Sequence, residues 1–409
     1  MRVLLISAAF PPMRAGEADH ALHLCRNLAN SGLEVDVLTT EGNSCAETLF
    51  SVHPIMSSWA WWDLLNLRKF LKRCAPDAVM LMYSGWVYKN QPMITFAPSF
   101  CKRLLPNVPF VTQFEFDEGA RLDEASLTCR IIRKIIKQLV GSADVDWEFG
   151  TLLRDSDNII VLSDHYRKKF LQHLAGIEKK TLLLPPPPII HFAPERNGET
   201  RRLARDKFGI AADEFLIAYF GYVHHNKGID TLLKALQLVG NRRTNVRLIL
   251  VGGTEDDNSQ REGLYARELV ELAKRLGISD RITWTGTYAP DSDFGSMCLR
   301  GADACALPYD NGVTLNRSSF AVAVAHGLPT ITTRADELEP QFVDGKNVLL
   351  CPPKDPVALA SAIDGLMSNG EIQRQLKSGA LDLAHEWYSW PRTMKLTLSA
   401  LRGIEPVAA

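Results

Sequence analysis

The sequence predicts an α/β fold of two doubly wound units, and three observations carry that prediction. Apolar runs of strand length alternate with stretches of helical period from the first residues onward; the alternation stops at four successive prolines; and it then begins again. With 409 residues, 46% hydrophobic and 23% charged, the chain has the composition of a soluble globular protein and is too long for one ordinary core.

"RVLLISAAF" (2–10) is a continuous apolar run of the kind buried on both faces of a parallel sheet. Pro11 and Pro12 end it before a signal-peptide core is complete, so it reads as a first strand. Ala18, Ala21, Leu22, Cys25, Leu28 and Ala29 then recur at helical spacing, with Gly32 as the stop, and "LEVDVLTT" follows as a second strand. The loop of this βαβ unit, "PPMRAGEADH" (11–20), lies where such folds bind ligands, beyond the strand's carboxyl end and near a helix N-terminus. "DAVMLMY", "VPFVTQFEF" and "DNIIVLS" continue the series up to "LLLPPPPIIH" (182–191), whose prolines can continue neither a helix nor a central strand. A second series follows: "EFLIAYFG", a helix over 230–239, "VRLILVGG", a helix around 260–276, "RITWTG", "ACALPY" and "LPTITT". The tail "AHEWYSWPRTMKLTLSALRGI" reads as a final helix interrupted at Pro391. The expected organisation is a first unit over 1–184, a proline-rich linker over 185–200, a second unit over 201–385, and a C-terminal helix over 386–409 packed back on the first unit.

Composition and spacing exclude several classes. A net charge of −1 offers no overall attraction for a polyanion, and no zinc-finger spacing or aromatic-basic signature is present, so nucleic acid is not expected as a partner. The eight cysteines are scattered, without a C-x-x-C pair or the histidine spacing of a zinc site, and read as buried small hydrophobes in a reducing cytoplasm. No apolar stretch reaches the roughly 18 residues of a membrane-spanning helix. Neither a Walker A pattern nor a full G-x-G-x-x-G occurs, so this is not a P-loop kinase.

The stretch "FGYVHHNKGIDTLL" (220–233) places Gly221 at a strand end and Lys227 just ahead of a helix N-terminus. A cation beside free backbone N–H groups suits a phosphate or diphosphate. On spacing alone, Lys227 reads equally well as a solvated loop lysine beside a turn glycine.

In this order, "ISAAFPPMRAGEADHALHLCRNLANSGLEVDVLTT", "NIIVLSDHYRKKFL", "FGYVHHNKGIDTLLKAL", "VRLILVGG", "RITWTG", "GADACALPY", "AVAHGLPTITT" and "FVDGKNVLLCPPKDPVALASAI" resemble the retaining glycosyltransferases of family 4 over nearly the whole chain. The resemblance implies a GT-B fold, two Rossmann-like domains facing across a cleft. It implies transfer of a sugar from a nucleotide-diphosphate donor, held mainly by the second domain, to a saccharide or lipid-linked acceptor held mainly by the first. Configuration would be retained, without cofactor or obligatory metal, in bacterial polysaccharide or glycoconjugate synthesis. On this resemblance Gly16, Gly221 and Lys227 bind the donor, Lys227 offsetting charge on the leaving diphosphate.

The chain also departs from the family. Tyr222 stands where a basic residue usually follows the loop glycine; Thr314 and Val322 occupy the positions of two glutamates seven residues apart; Phe114 replaces a histidine beside the retained Glu115; and Ala15-Gly16 stands for Gly-Gly. In place of the glutamates comes "YDNGVTLNRSSFAVAVAHG", in which Asp310, Arg317, Ser318 and Ser319 precede an amphipathic helix over 322–325. Arg-Ser-Ser at a helix start suits a phosphate, through a guanidinium, hydroxyls and open amides, and Arg317 would take over the role that Tyr222 has lost. It equally suits a serine cap with a solvated arginine. A retaining transfer in which the leaving phosphate accepts the acceptor's proton needs no catalytic carboxylate. Asp19, His20 and Glu115 are the candidates for orienting the acceptor or donor sugar, and acidic residues in a first helical turn also simply complement the dipole.

Two basic amphipathic stretches, "SSWAWWDLLNLRKFLKRC" (57–74) and "RIIRKIIKQLV" (130–140), fit either peripheral contact with the inner face of a membrane or ordinary packing on the core. Two rival functions share the fold: a catalytically degenerate GT-B protein binding a nucleotide sugar or a partner enzyme, favoured by the missing glutamates, and a sugar-nucleotide epimerase, for which no acid/base pair is placed.

Overall fold

Runs of Val, Ile and Leu that leave no polar side chain for solvent pair with one another on both sides, and they do so twice. The computed structural model describes residues 1–120, 138, 140–141, 145, 147–195, 198–254, 260–289 and 291–404. The chain folds as two compact units, Met1–Pro185 with Trp390–Ala409, and Pro186–Ser389.

The first unit is built on seven strands, β1 (Arg2–Ile6), β2 (Glu34–Thr40), β3 (Ser51–Met56), β4 (Ala78–Tyr83), β5 (Phe110–Phe114), β6 (Asn158–Val161) and β7 (Thr181–Leu183). They pair in parallel in the order β3-β2-β1-β4-β5-β6-β7. Val3 lies between Val35 and Ala78 in register, and Val3 to Ile6 are wholly buried. Each such side chain contributes about 1.5–3 kcal/mol of burial. The order reverses between β1 and β4, and the crevice at the carboxyl ends there is the usual ligand position of such sheets.

The second unit repeats the plan with β8 (Phe215–Phe220), β9 (Val246–Val251), β10 (Ile282–Trp284), β11 (Ala304–Leu307), β12 (Thr330–Thr333) and β13 (Leu349–Cys351). The order β10-β9-β8-β11-β12-β13 is again all parallel and reverses between β8 and β11. Both sheets fit the α/β, doubly wound reading.

Helices expected from periodicity form over Gly16–Asn30, Ile229–Gly240 and Gln260–Arg275. Two expectations need correction. The helix after β11 runs Ser318–Ala325 and is not amphipathic, since Ser319 to Val324 are all buried. It lies between a sheet and its neighbours rather than at the surface, so solvent never selects a polar face. In the tail, Pro391 begins a helix instead of interrupting one: Gly370–Trp387 ends before Tyr388, and Trp390–Leu401 starts with Pro391 in its first turn, where no intrahelical donor is required. This last helix belongs to the first unit, where Ala400 accepts a hydrogen bond from Asn158 Nδ2 at 3.1 Å and Trp390 stacks on His23.

Of the tryptophans in the first basic stretch, Trp59 is core, edge-on to Tyr88, whereas Trp62 is 67% exposed. The second stretch lies outside the described residues except for Gln138 and Val140. Among the described cysteines all but Cys45 are buried, and burial pushes the Cys74 and Cys298 thiols up to about 12 and Cys351 to about 11, which leaves them as inert small hydrophobes. No described helix is long and apolar enough to cross a membrane.

Candidate functional site

In the second unit the chain leaves β8 through Gly221, whose φ of +127° carries it past Ser319; a Cβ at Gly221 would lie 3.4 Å from the Ser319 Cβ. The short turn His225–Lys227 then leads to Gly228, at φ +66°, where an added Cβ would stand 1.9 Å from the Pro308 carbonyl oxygen. Only glycine fits there. That contact presses the loop after β8 against the loop after β11, and Asp310 N–H donates to Asn226 O at 3.1 Å across the same seam.

The seam brings two cations to one ring. Lys227 Nζ lies 5.4 Å and Arg317 Cζ 4.8 Å from the centroid of Tyr309. The Tyr309 ring is buried, and its hydroxyl meets Ser319 Oγ at 2.6 Å. Burial drives the phenol far above its ordinary pKa, opposed by the Ser319 hydrogen bond and the charge of Arg317, so it stays neutral. Both cations therefore lean on the electron-rich face of one fixed ring, each contact being worth about 0.5–2 kcal/mol. Arg317 occupies the N-cap position of Ser318–Ala325 without a side-chain cap, and its buried Nε has no hydrogen-bond partner. A guanidinium nitrogen beside uncapped helix amides is suited to an anion.

Neither serine caps this helix: Ser319 is turned to Tyr309, and Ser318 stands half-exposed at the first helical position. Asp310 is half-buried, its carboxylate 3.6 Å from Lys354 Nζ. Thr314 and Val322 bring no carboxylate, but Glu339, 4% exposed, accepts the Leu315 N–H at 2.5 Å and so fixes the loop from beneath. Lys227, Arg317, Ser319, Gly221 and Asp310 thus gather around the β8/β11 switch point.

In the first unit His20 and Glu115, 95 residues apart, are both buried and hydrogen-bonded, Nδ1 to Oε2 at 3.0 Å, while Gln113 Nε2 donates to the other carboxylate oxygen at 2.5 Å. Glu115 thereby fixes the imidazole ring and favours the tautomer with hydrogen on Nδ1. Asp19 is half-buried in the same helical turn. Gly16 opens the helix with an ordinary φ, and a Cβ there would meet nothing within 4 Å. It belongs to the first unit, and Gly221, Lys227, Asp310, Arg317, Ser318 and Ser319 belong to the second. Among the described residues no cluster of three His, Cys, Asp or Glu side chains could hold a metal ion.

Sequence reasoning missed Tyr309, Glu339 and Gln113. Tyr309 left a readable signal, since an aromatic just past a strand's carboxyl end faces the ligand side of a doubly wound sheet. Glu339 left none.

Two such sheets in one chain fit the GT-B class. Residues 214–369 match the model of the family described as glycosyl transferases group 1. The chain is 26% identical over 273 residues to D-inositol 3-phosphate glycosyltransferase of Segniliparus rotundus, covering 66% of this chain and 55% of that one. It is 25% identical over 298 residues to mannosylfructose-phosphate synthase of Agrobacterium fabrum, covering 71% and 60%. It spans little more than half the length of the curated relatives it matches. Sucrose-phosphate synthase from Thermosynechococcus elongatus has a TM-score of 0.69 to this chain at 19% identity over 98% of both chains. Anabaena Alr3699/HepE in complex with UDP and glucose has a TM-score of 0.69 at 16% identity over 99% of this chain and 100% of its own. Likeness at these identities shows a common fold.

Proposed function

We propose that the protein is a glycosyltransferase of the family 4 kind, moving a sugar from a nucleotide-diphosphate donor to a saccharide or lipid-linked acceptor with retention of configuration. One observation carries this reading: Lys227 and Arg317 converge on Tyr309 at the switch point of the second sheet. Two cations and uncapped helix amides match the charge of a diphosphate and offset the charge that grows on it as the glycosidic bond breaks. The fold shared with a protein held in complex with UDP and glucose supports the same ligand class.

With Thr314 and Val322 in place of carboxylates, neither of those two positions supplies a nucleophile. The acceptor hydroxyl attacks from the face that the diphosphate leaves, and the departing phosphate oxygen takes its proton. Neither a metal nor a cofactor is required, since the cations are the protein's own. Bacterial polysaccharide or glycoconjugate synthesis at the inner face of the membrane is the setting. Exposed Trp62 and Leu65, with Arg68, Lys69, Lys72 and Arg73 exposed on Leu64–Cys74, supply apolar and cationic groups for anionic lipid. Co-sedimentation with vesicles containing anionic lipid, lost in Trp62→Ser/Leu65→Ser, tests that placement; equal sedimentation would remove it.

Turnover of UDP-, GDP-, ADP- and dTDP-sugars, with chelator present and methyl pyranosides or lipid-linked saccharides as acceptors, tests the activity. A product whose anomeric configuration by NMR matches the donor supports the proposal, and inversion sinks the retaining route. The missing carboxylates favour one other reading, a non-catalytic nucleotide-sugar binder, and donor binding without turnover across the panel would establish it.

A further inference from the structure

We propose that Trp86 is a carbohydrate platform at the β1/β4 switch point, with His20 and Glu115 beside it to recognise a hydroxyl, so that the acceptor unit bound there is a pyranose ring. This rests on the glycosyl-transfer reading and names its acceptor.

Trp86 lies on the loop that leaves β4, and the residue is 45% exposed. An exposed tryptophan is ordinarily mobile, but this one is anchored, its Nε1–H donating to Glu17 Oε1 at 2.7 Å. Glu17 is itself buried in the first turn of Gly16–Asn30, where the helix dipole favours its charge. The loop beneath is equally fixed. Lys89 N–H donates to Trp86 O and Asn90 N–H to Gly85 O, the buried Tyr88 hydroxyl donates to Met82 O at 2.9 Å, and Gly85 packs so near Gly119 that a Cβ would lie 2.8 Å from its carbonyl. The ring therefore presents a face with little rotamer freedom left to lose on binding.

His20 follows Glu17 by three residues, on the same helix face. Glu115 N–H bonds Tyr83 O at 2.8 Å, so the dyad stands at the neighbouring strand ends, and Phe116, 39% exposed, continues it. Glu115 spends one oxygen on Gln113 and the other on His20 Nδ1; among the described residues His20 Nε2 makes no hydrogen bond. A pyranose is amphipathic in this way: one face carries C–H groups that suit the negative face of an indole, and its edge carries hydroxyls that need a fixed polar partner. An acyl chain would leave the dyad unused.

The test is saturation-transfer NMR with methyl α-D-gluco-, manno- and galactopyranosides on the full chain, in wild type, Trp86→Ala and Trp86→Phe, with calorimetric UDP and GDP titrations of the same samples. The expected result is transfer to the C–H protons of at least one pyranoside, weakened about tenfold or more in Trp86→Ala, largely kept in Trp86→Phe, and unaccompanied by a change in diphosphate affinity. No pyranoside signal in wild type, or equal signals in wild type and Trp86→Ala, would overturn the platform, as would quenching of Trp86 by the free nucleotide instead. Pyranoside binding without any diphosphate binding would sink the donor reading and leave the platform standing. Unchanged diphosphate affinity also controls for folding of the variants.

Discussion

Tyr309 and Ser319 are joined hydroxyl to hydroxyl at 2.6 Å, which ties the strand end of β11 to the first turn of the next helix. The tie holds the ring on which both cations rest. Tyr309→Phe keeps the ring and loses the hydrogen bond, costing about 1 kcal/mol of stability and only a few-fold in diphosphate affinity. Tyr309→Leu removes the platform as well and should lower affinity about tenfold. Urea midpoints and calorimetry on the two variants separate the effects; equal affinity in both would show that the ring does not position the cations.

Gly228→Ala and Gly16→Ala should behave oppositely. At Gly228 a methyl group meets the Pro308 carbonyl at 1.9 Å in a left-handed conformation, so a loss of about 3 kcal/mol or more is expected, read as poor soluble yield or a lowered Tm. At Gly16 nothing lies within 4 Å, so stability should hold or rise by about 0.5 kcal/mol. Turnover that collapses in Gly16→Ala despite unchanged stability would show that the donor approaches this backbone after all.

Much of this was legible because it is local in sequence. Continuous apolar runs marked the strands, since parallel strands covered on both faces have no polar side to show. Lys227 and the Arg-Ser-Ser loop were legible because a strand end, a turn and a helix start are contiguous. Their meeting on Tyr309 was not, for Lys227 and Arg317 are remote in the chain. His20 and Glu115 were each legible as candidates, but only folding pairs them across 95 residues. Burial of Ser319 to Val324 was hidden because an Ala/Val helix carries no period once both faces are covered.

Stability should depend on pH through His326. Its Nδ1 bonds Val322 O at 2.8 Å, its Nε2 bonds Ser296 Oγ at 2.7 Å, and burial lowers its pKa to about 4. Between pH 6.5 and 4 the unfolded chain binds the proton that the folded one refuses, so stability is full above about 6.5 and falls as pH drops to about 4, by an amount on the order of 3 kcal/mol. His326→Gln should flatten that slope in urea midpoints measured across the window. An unchanged slope would mean that His326 does not set it.

His20→Gln and Glu115→Gln should reduce transfer while leaving diphosphate affinity unchanged, because the dyad belongs to the first unit. Glu115→Gln still offers an oxygen to His20 Nδ1, so its loss should be the smaller, about tenfold against about a hundredfold for His20→Gln. Parallel rate and calorimetric measurements check this; a drop in diphosphate affinity in either variant would place the dyad at the donor.

The most direct measurement is calorimetric titration of the metal-free protein with UDP, GDP, ADP, CMP and dTDP, alongside Lys227→Ala, Arg317→Ala and Arg317→Lys. The account predicts that one diphosphate binds, that each alanine variant binds it at least about tenfold more weakly, and that Arg317→Lys rescues only partly, a lysine being unable to offer two parallel donors. Absence of binding by any diphosphate, or binding unchanged in both alanine variants, would contradict a donor site at the β8/β11 switch point.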